Sequence, residues 1–225
     1  MLRRVPEPEL MRAAAQARAY AHADFESAHS AYPRLFAQRF PNAPARARVL
    51  DLGCGPCDVT LRFARAYPGW RFDAVDGSAA MLRYARIALA REPEVARRIR
   101  LIRGRVPAVR LPARAYDVIL ASSFLHHLHD PQVLWQTIRR CGRAGACVFI
   151  ADLRRPTSRA RARVLTRRYA AGEPTVLQRD FFNSLLAAFT PDEVRAQLRA
   201  AGLTVLKVEP IGNRHLIVFG RVQVT

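Results

Sequence analysis

Residues 48–79 read RVLDLGCGPCDVTLRFARAYPGWRFDAVDGSA, and this stretch decides the fold. It predicts, in order, a strand buried on both faces (49–52), a glycine turn (53–57), a helix (58–67) and a second strand (70–75) that ends at Asp76. Pro68 and Gly69 end the helix. The order of strand, glycine turn, helix, strand and acid is typical of a parallel α/β sheet with a ligand at its carboxyl edge.

The polar residues of this stretch indicate what kind of ligand is bound. Glycines let the backbone turn sharply and let a ligand approach without a Cβ in the way. An acid about 20 residues after such a turn can accept the hydroxyls of a ribose. Asp51, which precedes the first glycine, suits a ligand with a positively charged amino group better than a pyrophosphate.

The turn D-L-G-C-G-P-C, the following Asp76-Gly77-Ser78 and the segment 116–128 together form a recognisable pattern. It resembles the class I S-adenosylmethionine-dependent methyltransferase family over residues 46–152. The resemblance implies a Rossmann-like α/β fold, S-adenosylmethionine as cofactor and S-adenosylhomocysteine as product. It does not indicate the methyl acceptor, the attacking atom or the oligomeric state.

The same resemblance implies a set of cofactor-binding residues. They are Asp51, Gly53, Cys54, Gly55, Asp76, Gly77, Ser78, Met81, Arg105, Val106 and Ser122. Two departures from the family pattern stand out. Cys57 occupies the place of a third glycine, and residues 104–106 lack the acid that often meets the adenine amino group.

The rest of the chain fits a mostly parallel sheet with helices on both faces. Further strands are predicted at 99–103, 116–121 and 146–151, and a C-terminal antiparallel hairpin at 203–208 and 215–222. Residues 190–193 form a capping box that opens a helix. We expect a methyltransferase domain over 45–225 with a helical cap at about 153–189. Residues 1–44 form a helical leader or lid, with predicted helices at 7–19 and 21–40.

Several residues are candidates for catalysis and for binding the acceptor. His127, His126 and Asp152 follow strands at the ligand edge, and one of them could remove a proton from the acceptor. The candidate substrate-binding residues are Tyr20, Phe25, Arg154, Arg155, Phe182, Asn183, Arg214 and His215. The two adjacent arginines leave an anionic acceptor open as one option. Metal-dependent catechol-type members of the family carry an Asp-Asn pair after the fifth strand. Here Asp152 is followed by Leu153, so the resemblance implies that no metal is bound.

The composition bears on the class of substrate. The 225 residues carry a formal net charge of +19, which is compatible with RNA as an alternative substrate. Lys207 is however the only lysine, and a GC-rich genome alone produces such an arginine bias. The arginines are dispersed and lack interleaved aromatic residues. A small-molecule acceptor is therefore the main prediction, and nucleic acid is the alternative.

Two other function classes are also suggested by parts of the sequence. Cys54-Gly55-Pro56-Cys57 has the spacing of a dithiol redox motif, but a redox site leaves Asp51 and Asp76 unexplained. The second of these classes is a non-enzymatic protein that keeps the cofactor pocket and acts as a sensor or scaffold. The sequence predicts a cytoplasmic protein without a membrane partner, because no apolar run is long enough to span a bilayer and no signal peptide is evident.

Overall fold

The computed structural model describes residues 2–10 and 13–223. Within them, one sheet contains the strands β1 (Ala47–Leu52), β2 (Trp70–Asp76), β3 (Ile99–Arg103), β4 (Tyr116–Ser122), β5 (Gly142–Leu153), β6 (Lys207–Ile211) and β7 (His215–Arg221). Their spatial order is β3-β2-β1-β4-β5-β7-β6.

The pairing of these strands confirms the predicted sheet. β1 runs parallel to β2 and β4, β2 to β3, and β4 to β5. β7 is antiparallel to both β5 and β6. Because the order reverses between β1 and β4, a crevice opens there at the carboxyl ends of the strands. The first hairpin strand was predicted too early, at 203–208, since residues 203–206 precede β6.

Alternating side chains cover the two faces of the sheet. In β1, Leu50 and Leu52 pack in one apolar core with Trp135 and Ile138. Val49 belongs to the opposite core, on the face that carries Phe63. Strands that are apolar on both faces need helices on both, and this explains the three-layer architecture.

The helices follow the strands in the expected alternation. They are α1 (Ala14–His22), α2 (Glu26–His29), α3 (Ala31–Arg39), α4 (Asp58–Ala66), α5 (Ala79–Ala90), α6 (Pro93–Ala96), α7 (Gln132–Cys141), α8 (Arg159–Ala170), α9 (Thr175–Ala187) and α10 (Pro191–Ala200), with a 3-10 turn at Leu125–His127. α8 and α9 lie within the predicted cap. Thr190 and Glu193 form the predicted capping box at the start of α10.

The N-terminal segment differs from its prediction. The helix expected over 7–19 begins only at Ala14, and residues 2–10 are neither helix nor strand. Contacts between this segment and the domain hold it in an extended path in place of a helix. Met11 and Arg12, which fall within the predicted helix, lie outside the described residues. The helix predicted over 21–40 is divided into α2 and α3.

Arg4 fixes this extended segment to the domain. Its Nε donates to the carbonyl oxygen of Ala187 at 2.6 Å. Its Nη2 donates to the carbonyl oxygens of His126 and Leu128, both at 2.9 Å. The guanidinium also stacks over the Phe189 ring, 3.9 Å from its centroid. One side chain thus joins the N-terminal segment, the 3-10 turn and the end of α9.

No helix in the described part of the chain combines the length and the apolar character needed to cross a membrane.

Candidate active site

A cavity of about 410 Å³ lies at the carboxyl ends of β1, β2 and β4. Eight of the predicted cofactor-binding residues lie in its wall: Gly53, Cys54, Gly55, Asp76, Gly77, Ser78, Met81 and Ser122. Pockets of this size hold drug-sized ligands and cofactors. Most of the predicted set therefore lies together, at the edge where the strand order reverses.

The glycine turn needs glycine for two different reasons. Gly53 has a φ of +73°, and a Cβ on it would come within 2.4 Å of the Phe124 ring. Gly55 has a φ of +54°, and a Cβ on it would meet nothing within 4 Å. The first glycine allows close packing, and the second leaves space at the cavity wall that a side chain would fill.

Asp76 joins the end of β2 to the glycine turn. Its Oδ2 accepts a hydrogen bond from the Gly55 N–H at 2.9 Å, and its Oδ1 accepts one from the Ser78 N–H at 2.7 Å. Burial raises the pKa of Asp76, and these two backbone hydrogen bonds partly oppose that rise. Each oxygen keeps a second lone pair, so the carboxylate can still accept hydroxyl groups of a ligand.

Asp51 lies beneath the turn, and it is not part of the cavity wall. It is 1% exposed, and its Oδ2 accepts a hydrogen bond from the Thr60 hydroxyl at 2.6 Å. Its Oδ1 is buried and has no hydrogen-bond partner in the described residues. Burial raises the pKa of Asp51 to about 6, although the bond from Thr60 acts in the opposite direction. A buried carboxylate oxygen without a partner calls for a cationic donor.

Arg105 and Val106 lie at a separate, smaller cavity of about 30 Å³ beside Gly77. The N-terminal segment contributes Glu9 and Leu10 to the same walls. Glu9 Oε2 accepts a bond from Arg105 Nη2 at 2.6 Å. The side predicted for the adenine is thus shared with the N-terminal segment, which no local sequence pattern indicates.

A second cavity, of about 120 Å³, adjoins the first. Its walls come from α1, α2, the 3-10 turn, the cap and the C-terminal hairpin. Both cavities are lined by Tyr20, Asp24, Phe25, His29, Ser123 and His127. The Tyr20 hydroxyl bonds to Ser123 at this junction, and burial raises the pKa of Tyr20 to about 12. The two cavities therefore meet beside Ser123 and His127.

Four of the predicted substrate-binding residues line this second cavity: Tyr20, Phe25, Arg214 and His215. Arg214 stacks over the Tyr169 ring at 3.4 Å from its centroid. Burial and the charge of Arg214 lower the pKa of His215 to about 3, so this imidazole is neutral at physiological pH. Asp24, Glu173 and Asp180 also contribute to the walls, which makes the cavity richer in carboxylates than in cations.

The other four predicted substrate-binding residues lie outside the walls of both cavities. Arg155 is buried, donates to the Ala188 carbonyl at 2.9 Å and pairs with Glu193. Arg154 donates to the Gly212 carbonyl at 3.0 Å.

Phe182 and Asn183, the two candidates in the cap, also lie outside both cavity walls. Phe182 lies under the Arg159 guanidinium, 5.6 Å from ring centroid to cation, and packs in the apolar cluster of the cap. Asn183 is exposed.

Sequence reasoning missed the residues of α9 that do line the second cavity. They are Leu177, Asp180, Phe181 and Ser184. Asp180, Phe181 and Ser184 follow Leu177 by three, four and seven positions. This spacing places all four residues on one face of a helix. That periodicity was present in the sequence and could have identified this face in place of Phe182 and Asn183.

Asp152 and His126 form a buried pair next to the junction. Asp152 Oδ1 lies 2.5 Å from His126 Nδ1. Its Oδ2 accepts bonds from the backbone N–H groups of Phe124 at 2.9 Å and Leu125 at 2.6 Å. Burial tends to raise the pKa of Asp152, but the charge of His126 outweighs it and the pKa is lowered. Asp152 lies outside both cavity walls, and both of its oxygens are engaged by His126 and by backbone N–H groups, so it orients His126.

Glu7, from the N-terminal segment, completes a cluster with both histidines. Its Oε1 lies 3.5 Å from His126 Nε2 and 3.1 Å from His127 Nδ1. The Ser184 hydroxyl donates to the same oxygen at 2.8 Å. Nothing in the sequence pattern links position 7 to positions 126 and 127, so this residue was missed.

The redox alternative does not fit the geometry of the cysteines. Cys54 and Cys57 are both buried and unbridged. Hydrogen bonding with Cys57 and burial raise the pKa of Cys54 well above its ordinary value. A reactive dithiol needs a lowered thiol pKa and access to its partner. These cysteines instead pack inside the glycine turn.

Several known proteins resemble this chain in sequence or in fold. A family model described as a methyltransferase domain matches residues 50–148. Trans-aconitate 2-methyltransferase of Azoarcus sp. is 36% identical over 104 residues, which cover 46% of this chain and 38% of that protein. Ubiquinone biosynthesis O-methyltransferase of Xanthomonas axonopodis pv. citri is 27% identical over 180 residues, 76% of this chain and 70% of that protein.

A solved structure with the same fold is that of a putative S-adenosylmethionine-dependent methyltransferase from Methanococcus maripaludis. It has a TM-score of 0.71 at 14% identity and covers 98% of both chains. The chain spans well under half the length of this trans-aconitate 2-methyltransferase. The comparisons therefore bear on the domain and its fold, and not directly on the substrate. Residues 50–148 thus resemble a methyltransferase domain in sequence, and the chain has the fold of solved S-adenosylmethionine-dependent methyltransferases.

Proposed function

We propose that the protein transfers a methyl group from S-adenosylmethionine to a small-molecule acceptor. The observation that carries this proposal is the pair of adjoining cavities that meet beside Ser123 and His127. The cofactor supplies a methyl group on a positively charged sulfur. The protein must then hold the acceptor in line with that group and exclude competing water.

The residues of the larger cavity suit this cofactor. Asp76 can accept the ribose hydroxyls, because both of its oxygens keep free lone pairs. The unpartnered Oδ1 of Asp51 lies beneath the turn where the resemblance places the methionine end. The cofactor's ammonium group would supply the positive charge that this buried carboxylate lacks.

The acceptor cavity favours an acceptor without net negative charge. The two arginines predicted to bind an anionic group, Arg154 and Arg155, do not border this cavity, whereas one other arginine and three carboxylates do. A hydroxyl acceptor is supported by the relative named as an O-methyltransferase, whose match extends over most of both chains. RNA is disfavoured as a substrate, because the cavity is small and bordered by carboxylates.

The direct test of this proposal is calorimetric titration with S-adenosylmethionine and S-adenosylhomocysteine. Binding of one molecule per chain is expected for both. A folded protein that binds neither would remove the basis of the proposal.

A cytoplasmic location remains a prediction that fractionation of the source cells would test.

The protonation of Asp51 should make cofactor binding pH-dependent. With a pKa of about 6 in the free protein, Asp51 is ionised at pH 7 and mostly protonated at pH 5. Only the ionised form attracts the ammonium group, so affinity should fall about tenfold from pH 7 to pH 5. Calorimetry at both pH values measures this change.

Asp51→Asn provides the control for the pH experiment. It should bind more weakly at pH 7 and show little further loss at pH 5. An equal pH dependence in the variant and the original protein would mean that another group titrates. The unfolding transition at each pH checks that both proteins stay folded.

We also propose that residues 1–44 act as a leader that covers the site, and that 153–189 act as a cap. Support comes from Glu9, Leu10, Tyr20 and Phe25, which border the cavities, and from the acceptor-side residues of α9. Arg4 is the main anchor of the extended part of the leader.

Arg4→Ala should release the extended part of the leader without unfolding the domain. Loss of even one hydrogen bond to a charged group costs about 1.5 kcal/mol, so local opening should become about tenfold more frequent. The Val5 N–H donates to the Leu186 carbonyl at 3.0 Å and reports this opening by hydrogen exchange. Amides of β1 are the internal control. Unchanged exchange at Val5 would show that Arg4 is not the anchor.

A further inference from the structure

We propose that Glu7, His126 and His127 form a binding site for a divalent first-row transition-metal ion such as zinc. This proposal departs from the sequence-based expectation of no metal, which did not consider a carboxylate from the N-terminal segment. The metal site itself stands apart from the proposed function. Only its role in catalysis rests on that function.

The spacing of the three side chains fits a metal ion. Their ligand atoms all lie within 4.8 Å of one another. Glu7 Oε1 is 3.5 Å from His126 Nε2 and 3.1 Å from His127 Nδ1. Ligands of a tetrahedral zinc ion with bonds of 2.0–2.1 Å are separated by about 3.3 Å. An ion can therefore be placed between these atoms with small side-chain adjustments.

The hydrogen bonding of His126 also suits metal binding. Its Nδ1 is bonded to Asp152, whose other oxygen accepts two backbone N–H groups. A carboxylate that holds one ring nitrogen as the N–H donor leaves the lone pair of the other nitrogen free for a ligand bond. His126 Nε2 is that other nitrogen, and it is the atom that faces Glu7.

The second imidazole has a nitrogen that protein groups leave unsatisfied. His127 Nδ1 is buried and makes no hydrogen bond to any residue the structure describes, although Glu7 Oε1 is 3.1 Å away. The contact is close, but it lies outside hydrogen-bond geometry. A buried nitrogen without a partner is costly, and a metal ion would satisfy it.

Surrounding contacts hold the third ligand in place. Ser184 donates to Glu7 Oε1 at 2.8 Å, and Arg4 ties the same segment to the carbonyl oxygen of His126. The Glu7 carboxylate therefore has both a hydrogen-bonded partner and a fixed backbone. Such supporting contacts are typical of residues that bind metals.

The donor set and the charges indicate the class of ion. Two imidazoles and one carboxylate suit zinc, iron(II), cobalt(II) or nickel(II), and they are poor ligands for calcium or magnesium. A divalent ion would also balance the two negative charges of Glu7 and Asp152. Three protein ligands leave a further coordination position open. Because the His127 side chain also lines both cavities, an ion held by it would lie near the proposed acceptor cavity.

The ion would then activate a hydroxyl acceptor. An acceptor hydroxyl that bound the ion would have a lowered pKa, and its proton would leave to solvent. The oxygen forms a bond to the methyl carbon while the carbon–sulfur bond breaks and its electron pair goes to sulfur. Methylated acceptor, S-adenosylhomocysteine and one proton result. In this scheme His127 is a metal ligand, and no imidazole base is needed.

Cobalt(II) titration of tag-free, chelator-treated protein tests the site without S-adenosylmethionine. We expect visible absorption bands that saturate at one ion per chain and that zinc abolishes by displacement. Absence of saturable bands would overturn the proposal while leaving cofactor binding, measured separately by calorimetry, as the test of the proposed function.

Two matched variants locate the ion. Glu7→Gln should weaken cobalt binding by at least about tenfold. Glu9→Gln, two residues away on the same segment but paired with Arg105, should bind cobalt as the original protein does. Equal binding by both variants would place the ion elsewhere and overturn the proposal. Circular dichroism verifies that both variants are folded, and His127→Gln provides a second ligand deletion on the domain itself.

Discussion

Asp76→Ala should weaken S-adenosylmethionine binding by about 10- to 150-fold, which corresponds to about 1.5–3 kcal/mol for lost hydrogen bonds to a charged group. Two effects add in this variant. The ribose hydroxyls lose their acceptor, and the N–H groups of Gly55 and Ser78 lose the carboxylate that fixes the turn. Calorimetric titration measures the affinity directly.

Asp117→Asn is the matched control for this variant. Asp117 lies near the start of β4, at the opposite edge of the sheet, and pairs with Arg143 at 2.7 Å. It should leave cofactor affinity unchanged. If folded Asp76→Ala protein bound the cofactor as tightly as the control, Asp76 would have no place in the site.

Phe36→Ala should lower the free energy of unfolding by about 3–5 kcal/mol, the range for a buried phenylalanine. Phe36 is fully buried on α3 and makes edge-to-face contacts with Phe63, Trp70 and Phe149 at centroid distances of 5.6, 5.4 and 5.8 Å. Such aromatic contacts add to the burial of apolar area. α3 is therefore part of the domain core, although the proposed leader includes it. Urea unfolding gives the measurement.

Gln38→Ala on the same helix is the control, because Gln38 is exposed and should change stability by less than about 0.5 kcal/mol. A similarly small change for Phe36→Ala would show that α3 is a detachable part of the leader. The result therefore also decides where the leader ends, either before α3 or at about residue 44.

Local patterns predicted the sheet well. The strands β1, β2 and β4 follow short apolar runs, and the glycine turn and Asp76 follow directly from their neighbours in the chain. Such features are encoded within a few residues, because backbone geometry and burial on both faces select the residue types there. This explains why most of the predicted cofactor-binding residues lie in the wall of one cavity.

Features that depend on distant contacts could not be predicted. The extended path of residues 2–10 depends on Arg4, whose partners lie more than a hundred positions away. Arg154 and Arg155 follow the carboxyl end of β5, where a ligand contact is expected, but backbone carbonyls and Glu193 engage them. The Glu7 cluster likewise requires three segments to come together.

One measurement tests methyl transfer to a small molecule most directly. The protein is incubated with S-adenosylmethionine carrying a trideuterated methyl group, together with either a small-molecule extract or total tRNA and rRNA from the same cells. Mass spectrometry should find the labelled methyl group on a small molecule, with none on RNA above the level of a heat-denatured control. Label on RNA and on no small molecule would contradict the account.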